Sequence, residues 1–251
     1  MGVMTDEQKK HFREAGYLLA SGLIPKHVVR KAEDAMWAAL EMDRDDSETW
    51  GRVSVHAINR KHRASPENRM LRSPDILACY TDDILIAVSE LTGVDRKEIH
   101  APTQVMTQNT FPTEGEWSHL KPHLDGGSDP VKYNRPTFPI PILVHSILYL
   151  SDTAPHGGCT FGWPGSHQKL RGIAEDNPEK YPYLWDVNSG KDTVDIGEGV
   201  ELVAKRGDIL FYQNFFLHAG SKNINDYPRL ACRNTWKWMP EASVFKEQKF
   251  R

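Results

Sequence analysis

Cysteines are scarce in this sequence, and none is placed to build a disulfide framework or a cysteine zinc site. The three that occur in 251 residues are Cys79, Cys159 and Cys232, and no C-x-x-C pair is present. Small secreted domains and zinc-binding modules need more cysteines at closer spacing. We therefore expect reduced thiols and a reducing compartment, with the cytoplasm as the default location.

Long apolar runs and a strong charge of one sign are lacking too. The longest apolar stretch, at 138–150, is too short and too interrupted by proline to cross a bilayer. The N-terminal residues are charged from Asp6 onward and show no signal-peptide pattern. The formal net charge is −3, and the short basic run at 60–63 is typical of a solvated face. These features predict a globular protein that binds neither membranes nor nucleic acid.

Helical patterns dominate the first hundred residues. Thr5 begins a capping-box pattern, and the helix that follows should end at Gly16, before a brief strand at 17–19. Apolar residues then recur at helical spacing over 27–42 and again over 73–91. The sequence therefore predicts several helices ahead of the main body of the domain.

Short β-type runs follow from about residue 101, separated by glycine, proline, asparagine and aspartate. They lie at 103–107, 143–150, 160–163, 194–203, 208–212 and 229–236. This order favours one domain over 1–251 that is mainly β with helical additions: a β-sandwich or jelly roll over 101–240, preceded by helices over 1–100. The long connections at 126–141 and 168–191 are candidate lids or binding loops.

A candidate metal site begins with the H-x-D pair of His123 and Asp125. Side chains at i and i+2 of a strand face the same side, so both could bind one ion. His218 follows a turn and a strand-like run that would bring it to the edge of the same pair of sheets. Two imidazoles and one carboxylate leave open positions on an octahedral ion, as a non-haem Fe(II) oxygenase requires. The alternative is that His123 is a surface residue and His218 an ordinary core histidine.

An arginine after the second histidine predicts what the metal site is used for. Arg229 stands eleven residues after His218, at the start of the next predicted strand. A guanidinium can bind a carboxylate through two hydrogen bonds, as a dicarboxylate cosubstrate beside a metal would need. Arg233 lies on the same face of that strand and is an alternative for this role. An arginine at a strand end is more often only a salt-bridge partner.

Three segments together resemble the phytanoyl-CoA dioxygenase family of Fe(II)/2-oxoglutarate oxygenases. Residues 5–22 are similar to the family's opening helix and strand, and 158–167 to its glycine–PGSH turn. The segment from Gly207 and Asp208 to His218, followed by Asn223 and Arg229, is similar to its closing signature. The resemblance covers most of the chain.

The resemblance implies a double-stranded β-helix, a cupin-like jelly roll, that uses Fe(II), 2-oxoglutarate and O2. It implies that His123, Asp125 and His218 bind the metal. It also implies that Arg229, and not Arg233, binds the distal carboxylate of 2-oxoglutarate.

Two glutamines on one face of the strand before the H-x-D pair are further candidates. Gln104 and Gln108 could contact the cosubstrate, and the alternative is a solvated strand face. Trp117, Tyr133 and Trp163 are candidates to line the substrate pocket, although such aromatics are more often packing residues.

The sequence departs from the family pattern near the first ligand pair. The family often has W-H-x-D, whereas Pro122 precedes His123 here and Leu124 separates the ligands. An aromatic residue common on the strand after the lid is also replaced near Ile147. No basic cluster is placed to hold a CoA phosphate, which argues against phytanoyl-CoA as the substrate. Related halogenases carry a small residue where this chain has Asp125, so the carboxylate favours hydroxylation.

The expected function is therefore hydroxylation of a small or medium organic molecule, with release of succinate and CO2. One alternative is a cupin-like metal-dependent isomerase or lyase, against which Arg229 argues. The other is a non-catalytic jelly-roll binding module, against which the intact set of three ligands argues.

Overall fold

A computed structural model describes residues 2–50, 70–127, 135–140 and 142–237. The α-helices in this part of the chain are α1 Asp6–Ala15, α2 Lys26–Leu40, α3 Pro74–Leu77, α4 Asp82–Thr92, α5 Ser166–Asp176 and α6 Leu184–Gly190. The strands are β1 Tyr17–Ala20, β2 Met70–Leu71, β3 Val105–Thr107, β4 Ile142–Tyr149, β5 Thr160–Gly162, β6 Val200–Leu202, β7 Ile209–Tyr212, β8 His218–Gly220 and β9 Ala231–Lys237. Short 3-10 turns lie at Ser47–Thr49, Arg96–Glu98 and Lys191–Thr193. None of these helices is long and apolar enough to span a bilayer.

Local sequence explains where the first helices begin and end. The hydroxyl of Thr5 accepts from the backbone of Gln8, whose side chain accepts from the backbone of Thr5 in return, so the predicted capping box forms. Gly16 ends α1 with a φ of 85°, a conformation that glycine adopts without steric cost. The helical pattern predicted over 73–91 is divided into α3 and α4, because the side chain of Thr81 caps a new helix.

Two antiparallel sheets face each other and form the β core. The large sheet has the order β1-β7-β4-β9-β3-β2, and the small sheet has the order β6-β5-β8. Side chains from both inner faces form one buried cluster: Ile147, Tyr149, Leu202, Ala204, Leu210, Tyr212, Phe216 and Ala231. This arrangement confirms the predicted mainly β jelly roll, and the sheets do not close into a barrel within the described residues.

The outer face of each sheet is covered by helices. Strand β4 is buried along its whole length, because Leu148 and its alternate neighbours pack against the N-terminal helices while Ile147 and Tyr149 face the other sheet. Residues from α2 and α4, such as Met36 and Ile84, complete that outer core. The N-terminal helices therefore hold the large sheet from behind and leave its inner face for the site.

Several predicted element boundaries were wrong. The connection predicted at 168–191 is mostly helical, since α5 and α6 pack leucine and valine side chains beneath the small sheet. The strand predicted at 194–203 is confined to β6, and short strands at β2 and β8 were not predicted. Much of the candidate lid at 126–141 lies outside the described residues.

Candidate metal centre

The structure brings the three residues predicted as metal ligands together. One ligand atom each from His123, Asp125 and His218 lies within 4.8 Å of the others. The backbones of His123 and His218 form an isolated antiparallel bridge, with N···O distances of 3.0 and 3.3 Å. The H-x-D pair therefore meets strand β8 directly, although it lies on a single bridge and a turn instead of the regular strand predicted.

Leu124 anchors the H-x-D pair from the opposite side. Its side chain is fully buried with Leu184 and Val187 of α6, and its backbone N–H donates to the Oδ1 of Asn188 over 2.9 Å. Burying the middle residue turns its two neighbours to the other side of the chain. The leucine between the ligands, a departure from the family pattern, thus has a packing role, and α6 holds the metal-binding segment.

The hydrogen bonding of His218 leaves one ring nitrogen available to a metal. Its Nδ1 lies 3.1 Å from the carbonyl oxygen of Phe216, which can only accept, so Nδ1 carries the proton. Nε2 then presents its lone pair and lies 3.6 Å from the Oδ2 of Asp125. Burial lowers the pKa of His218 to about 4, against the opposing effect of Asp125, so the ring is neutral at physiological pH.

Asp125 is a buried carboxylate that lies beside a tyrosine hydroxyl, a histidine ring and the cation of Arg233. Its Oδ2 accepts from the hydroxyl of Tyr212 over 2.6 Å and lies 2.7 Å from the Nη2 of Arg233. The Nδ1 of His145 lies 3.5 Å from the same oxygen. Burial alone would raise the pKa of Asp125, but Arg233, His218, His145 and His123 outweigh it and hold the pKa well below its usual range.

Strand alternation explains why these donors meet. His145, Tyr212 and Arg233 all point from the inner face of the large sheet, where His145 pairs with Tyr212 across β4 and β7 and Arg233 pairs with Ile147 across β9 and β4. Sequence reasoning did not single out Tyr212, and it weighed Arg233 only as a rival to Arg229. The alternation of side chains along β7 and β9 indicates which residues share a face, but the sequence does not give the register of these strands with β4.

Arg229 lies deeper on the same inner face. It is 2% exposed, its Nη1 donates to the carbonyl oxygen of Gly158 over 2.6 Å, and its Nη2 donates to that of Gln108 over 3.0 Å. Its Nε is buried and has no hydrogen-bond partner among the described residues. No carboxylate of the described residues forms an ion pair with it, and burial lowers the pKa of the guanidinium. Arg229 is thus a buried cation that is held by two carbonyls and has no anionic partner in the described part of the chain.

The two candidate glutamines differ in their surroundings. The Oε1 of Gln108 is buried and has no hydrogen-bond partner among the described residues, and the backbone carbonyl of Gln108 accepts from Arg229. The Oε1 of Gln104 instead accepts from the Nε of Arg72 over 3.1 Å near the surface. A role for Gln104 in cosubstrate binding would require that pair to separate.

Trp117 and Trp163, two of the three aromatic residues predicted to line the pocket, pack on the outer side of the small sheet. Phe161 points to the outer face of the small sheet, where it packs against Trp117, His119 and Trp163. Its neighbour Gly162 pairs with His218, so the alternation of β5 directs this aromatic group away from the metal-binding residues. Tyr133 lies outside the described residues.

Comparison with known proteins gives a family and a fold. The family model described as "Phytanoyl-CoA dioxygenase (PhyH)" matches residues 12–231. No curated protein sequence gives a significant match.

Solved structures with a similar fold include two enzymes that are named by their reaction and one complex that contains 2-oxoglutarate. The carbocyclase SnoK from nogalamycin biosynthesis is 18% identical, with 94% of this chain and 84% of SnoK covered, at a TM-score of 0.56. The epimerase SnoN of the same biosynthesis is 17% identical, with 98% of this chain and 89% of SnoN covered, at a TM-score of 0.57. EctD from S. alaskensis with 2-oxoglutarate and 5-hydroxyectoine is 16% identical, with 94% of this chain and 77% of EctD covered, at a TM-score of 0.54. At these identities the likeness shows a shared fold, and the family match over most of the chain shows that this protein belongs to the phytanoyl-CoA dioxygenase family.

Proposed function

We propose that this protein is an Fe(II)- and 2-oxoglutarate-dependent dioxygenase that hydroxylates a small or medium organic molecule. The observation that carries the proposal is a pairing of two features between the two facing sheets. His123, Asp125 and His218 offer two imidazoles and a carboxylate to one ion, and Arg229 offers a buried cation without an anion. A metal-bound dicarboxylate fits both features, because one end can bind the metal while the other forms an ion pair with the guanidinium.

The residues present fit both groups. Neutral imidazole and carboxylate are the donors that non-haem Fe(II) favours, and the buried Nε of Arg229 and Oε1 of Gln108 lack partners that a bound molecule or water could supply. Burying an uncompensated guanidinium is costly unless an anion joins it. In known structures with this fold, the SnoN complex contains Fe3+ and α-ketoglutarate, and an EctD complex contains 2-oxoglutarate.

Each residue of the chain has a distinct task in this proposal. His123, Asp125 and His218 bind the metal on one side and leave its opposite side open, while Arg229 and Gln108 orient the distal end of the cosubstrate. Tyr149 and Ile147, which are fully buried, form the dry wall of the large sheet beside them. When bound, iron and 2-oxoglutarate supply the oxidising power, with succinate and CO2 as the coproducts.

Hydroxylation is the favoured outcome because the carboxylate of Asp125 occupies the metal position that related halogenases leave for a halide. SnoK is named a carbocyclase and SnoN an epimerase, so proteins with this fold also catalyse other reactions of organic molecules. Product analysis therefore has to accompany any measurement of turnover.

Anaerobic titration with Fe(II) followed by 2-oxoglutarate tests the proposal. We expect a visible charge-transfer band in the wild-type protein and its loss in Asp125→Ala. Asp176→Ala, an exposed change at the end of α5, is the matched control and should keep the band. Metal binding without a band would overturn the 2-oxoglutarate proposal and favour a cupin-like isomerase or lyase, and absence of metal binding would favour a binding module.

Substrate identity requires a separate screen. Succinate release that depends on an added metabolite, followed across a panel of small organic molecules, should identify a substrate class. Mass spectrometry of the product then distinguishes hydroxylation, which adds one oxygen atom, from desaturation or cyclisation, which removes two hydrogen atoms.

A further inference from the structure

A cavity of about 520 Å³ lies at the end of the large sheet that is remote from the metal-binding residues. Its walls include the first two turns of α2 and the turn at 205–208, which precedes β7. The backbone of this turn pairs with Tyr149, and four residues of extended strand, about 13 Å, separate Tyr149 from His145 beside Asp125. The cavity is therefore separate from the proposed metal site, and its volume suits a small molecule.

Four basic residues line this cavity: Lys26 and Arg30 from α2, and Lys205 and Arg206 from the turn. Of these, Arg206 has an anionic partner, because its Nε lies 3.1 Å from the Oε2 of Glu33. The other three form no ion pair within the described part of the chain. Three cations therefore line one cavity without an anion of the described residues to neutralise them.

Two carboxylates also line the cavity, and each accepts a hydrogen bond from the backbone of the turn. The Oδ2 of Asp208, which is 7% exposed, accepts from the N–H of Lys205 over 2.8 Å. The Oδ1 of Asp152 accepts from the N–H of Arg206 over 2.7 Å. These bonds fix the backbone of the turn, and they leave the ammonium group of Lys205 without an ion pair.

The backbone also sets the distance between the two pairs of basic residues. Gly207 has a φ of 91°, and a Cβ there would lie 3.2 Å from the Cγ2 of Val29, so the turn approaches α2 closely. Lys26 and Arg30 are four residues apart on α2, where like charges repel each other and destabilise a helix. An anion bound between α2 and the turn would offset this repulsion.

We propose that this cavity is a second binding site, which takes a phosphorylated small molecule between α2 and the turn before β7. A phosphate group carries about two negative charges and three acceptor oxygens, so it can bind cations that approach from both sides of the cavity. The buried side chains of Ile24 and Val29 give the cavity an apolar floor for the organic part of the ligand. The proposal goes beyond the proposed function and does not depend on iron or 2-oxoglutarate.

Calorimetric titration of the full chain with ADP and with pyrophosphate, in buffer without divalent metal, tests the proposal. Glutarate serves as a carboxylate probe and a short DNA oligonucleotide as a polyanionic probe. The variants are Arg30→Gln, Lys205→Gln and the two together. Lys31→Gln is the matched control, because Lys31 is an exposed cation of α2 that is not among the residues lining the cavity. Arg229→Met shows whether a probe binds at the proposed cosubstrate position instead.

We expect ADP to bind the wild-type protein, each single substitution to weaken binding about fivefold, and the double substitution to weaken it about twentyfold. Lys31→Gln and Arg229→Met should keep the affinity within about twofold, roughly the effect of a remote change. Binding should weaken as the salt concentration rises. Without ADP, Arg30→Gln should melt no lower than the wild-type protein, because the substitution removes the repulsion with Lys26.

The proposal is overturned if neither ADP nor pyrophosphate binds the wild-type protein at millimolar concentration, or if the double substitution leaves the affinity unchanged. Glutarate that binds as tightly as ADP, or an oligonucleotide that binds far more tightly, overturns the assignment to a phosphorylated small molecule. Loss of ADP binding in Arg229→Met, or in excess 2-oxoglutarate, assigns the probe to the metal centre and overturns it too. The charge-transfer band is measured separately, so the proposed function and this site can fail independently.

Discussion

Arg229 donates a hydrogen bond from Nη1 to the carbonyl oxygen of Gly158 over 2.6 Å, and this contact aims a buried cation at the space between the two sheets. The carbonyl oxygen of Gln108 holds the other terminal nitrogen. Two neutral acceptors fix the orientation of the guanidinium without neutralising its charge. Under the proposed function, the guanidinium is therefore oriented before 2-oxoglutarate binds.

Replacing the buried cation should remove cosubstrate binding and spare the metal. In Arg229→Met we expect 2-oxoglutarate affinity to fall roughly a hundredfold, because a buried ion pair that loses one partner costs about 3 kcal/mol or more. Fe(II) affinity should change little. Thermal shift of the Fe(II)-loaded protein checks this, since 2-oxoglutarate should raise the melting temperature of the wild-type protein and not that of the variant. An equal shift in both proteins would refute the assignment.

The two candidate glutamines give a matched pair of substitutions. Gln108→Leu removes a buried amide oxygen without a partner, and we expect about a tenfold loss of 2-oxoglutarate affinity from the missing polar contact. Gln104→Leu removes only the surface hydrogen bond to Arg72 and should leave the affinity within twofold to threefold, roughly the effect of a surface change. Titration of the charge-transfer band compares the two directly, and a larger effect for Gln104 would reverse this ranking.

Gly158 should tolerate no side chain. Its φ is 76°, and a Cβ there would meet the Cγ2 of Thr110 at 2.8 Å. We expect Gly158→Ala to lower the free energy of unfolding by about 1–3 kcal/mol and to displace the carbonyl that holds Arg229. Gly197→Ala is the control: its φ is 74°, but nothing lies within 4 Å of the added carbon. Urea unfolding should show a smaller loss there, and equal losses would mean that the contact with Thr110 is unimportant.

Stability of the metal-free protein should fall as the solution becomes acidic. Burial lowers the pKa of His145 to about 3 and that of His218 to about 4, and it also lowers the pKa of His167. Between the ordinary histidine pKa, about 6.5, and these values, the unfolded chain binds more protons than the folded one. The stability from the neutral rings is therefore fully present above about pH 6.5 and is lost as pH falls toward 4.

Unfolding by urea at pH 7.5, 6 and 5 measures this loss. His167→Gln should reduce the dependence of the unfolding free energy on pH, because the ring of His167 is buried against Gly16 and its Nε2 contacts the carbonyl oxygen of Arg13. His27→Gln, an exposed change on α2, should not alter it. A stability that does not vary with pH over this range would contradict the neutral state of the buried rings.

The fold was largely predictable because its signals are local. Capping at Thr5, the glycine at Gly16 and the apolar runs of β4 and β7 each specify an element within a few residues. The errors arose where tertiary packing overrode a polar sequence, as in the helices α5 and α6, which form where a loop was predicted. Their apolar side chains become a buried face only when the small sheet lies against them.

The types and order of His123, Asp125 and His218 were enough to predict a metal site, and the resemblance to the family favoured Arg229 over Arg233 as the arginine that binds a carboxylate. Residue type and order along the chain do not depend on register, so the sequence by itself carried both predictions. Only the tertiary structure decided which side chains face those residues, because the pairing of β9 with β4 and of β4 with β7 places Arg233 and Tyr212 beside Asp125. Strand register is set by packing across the whole sheet, and no local pattern in the sequence of β9 specifies which residues of β4 it pairs with.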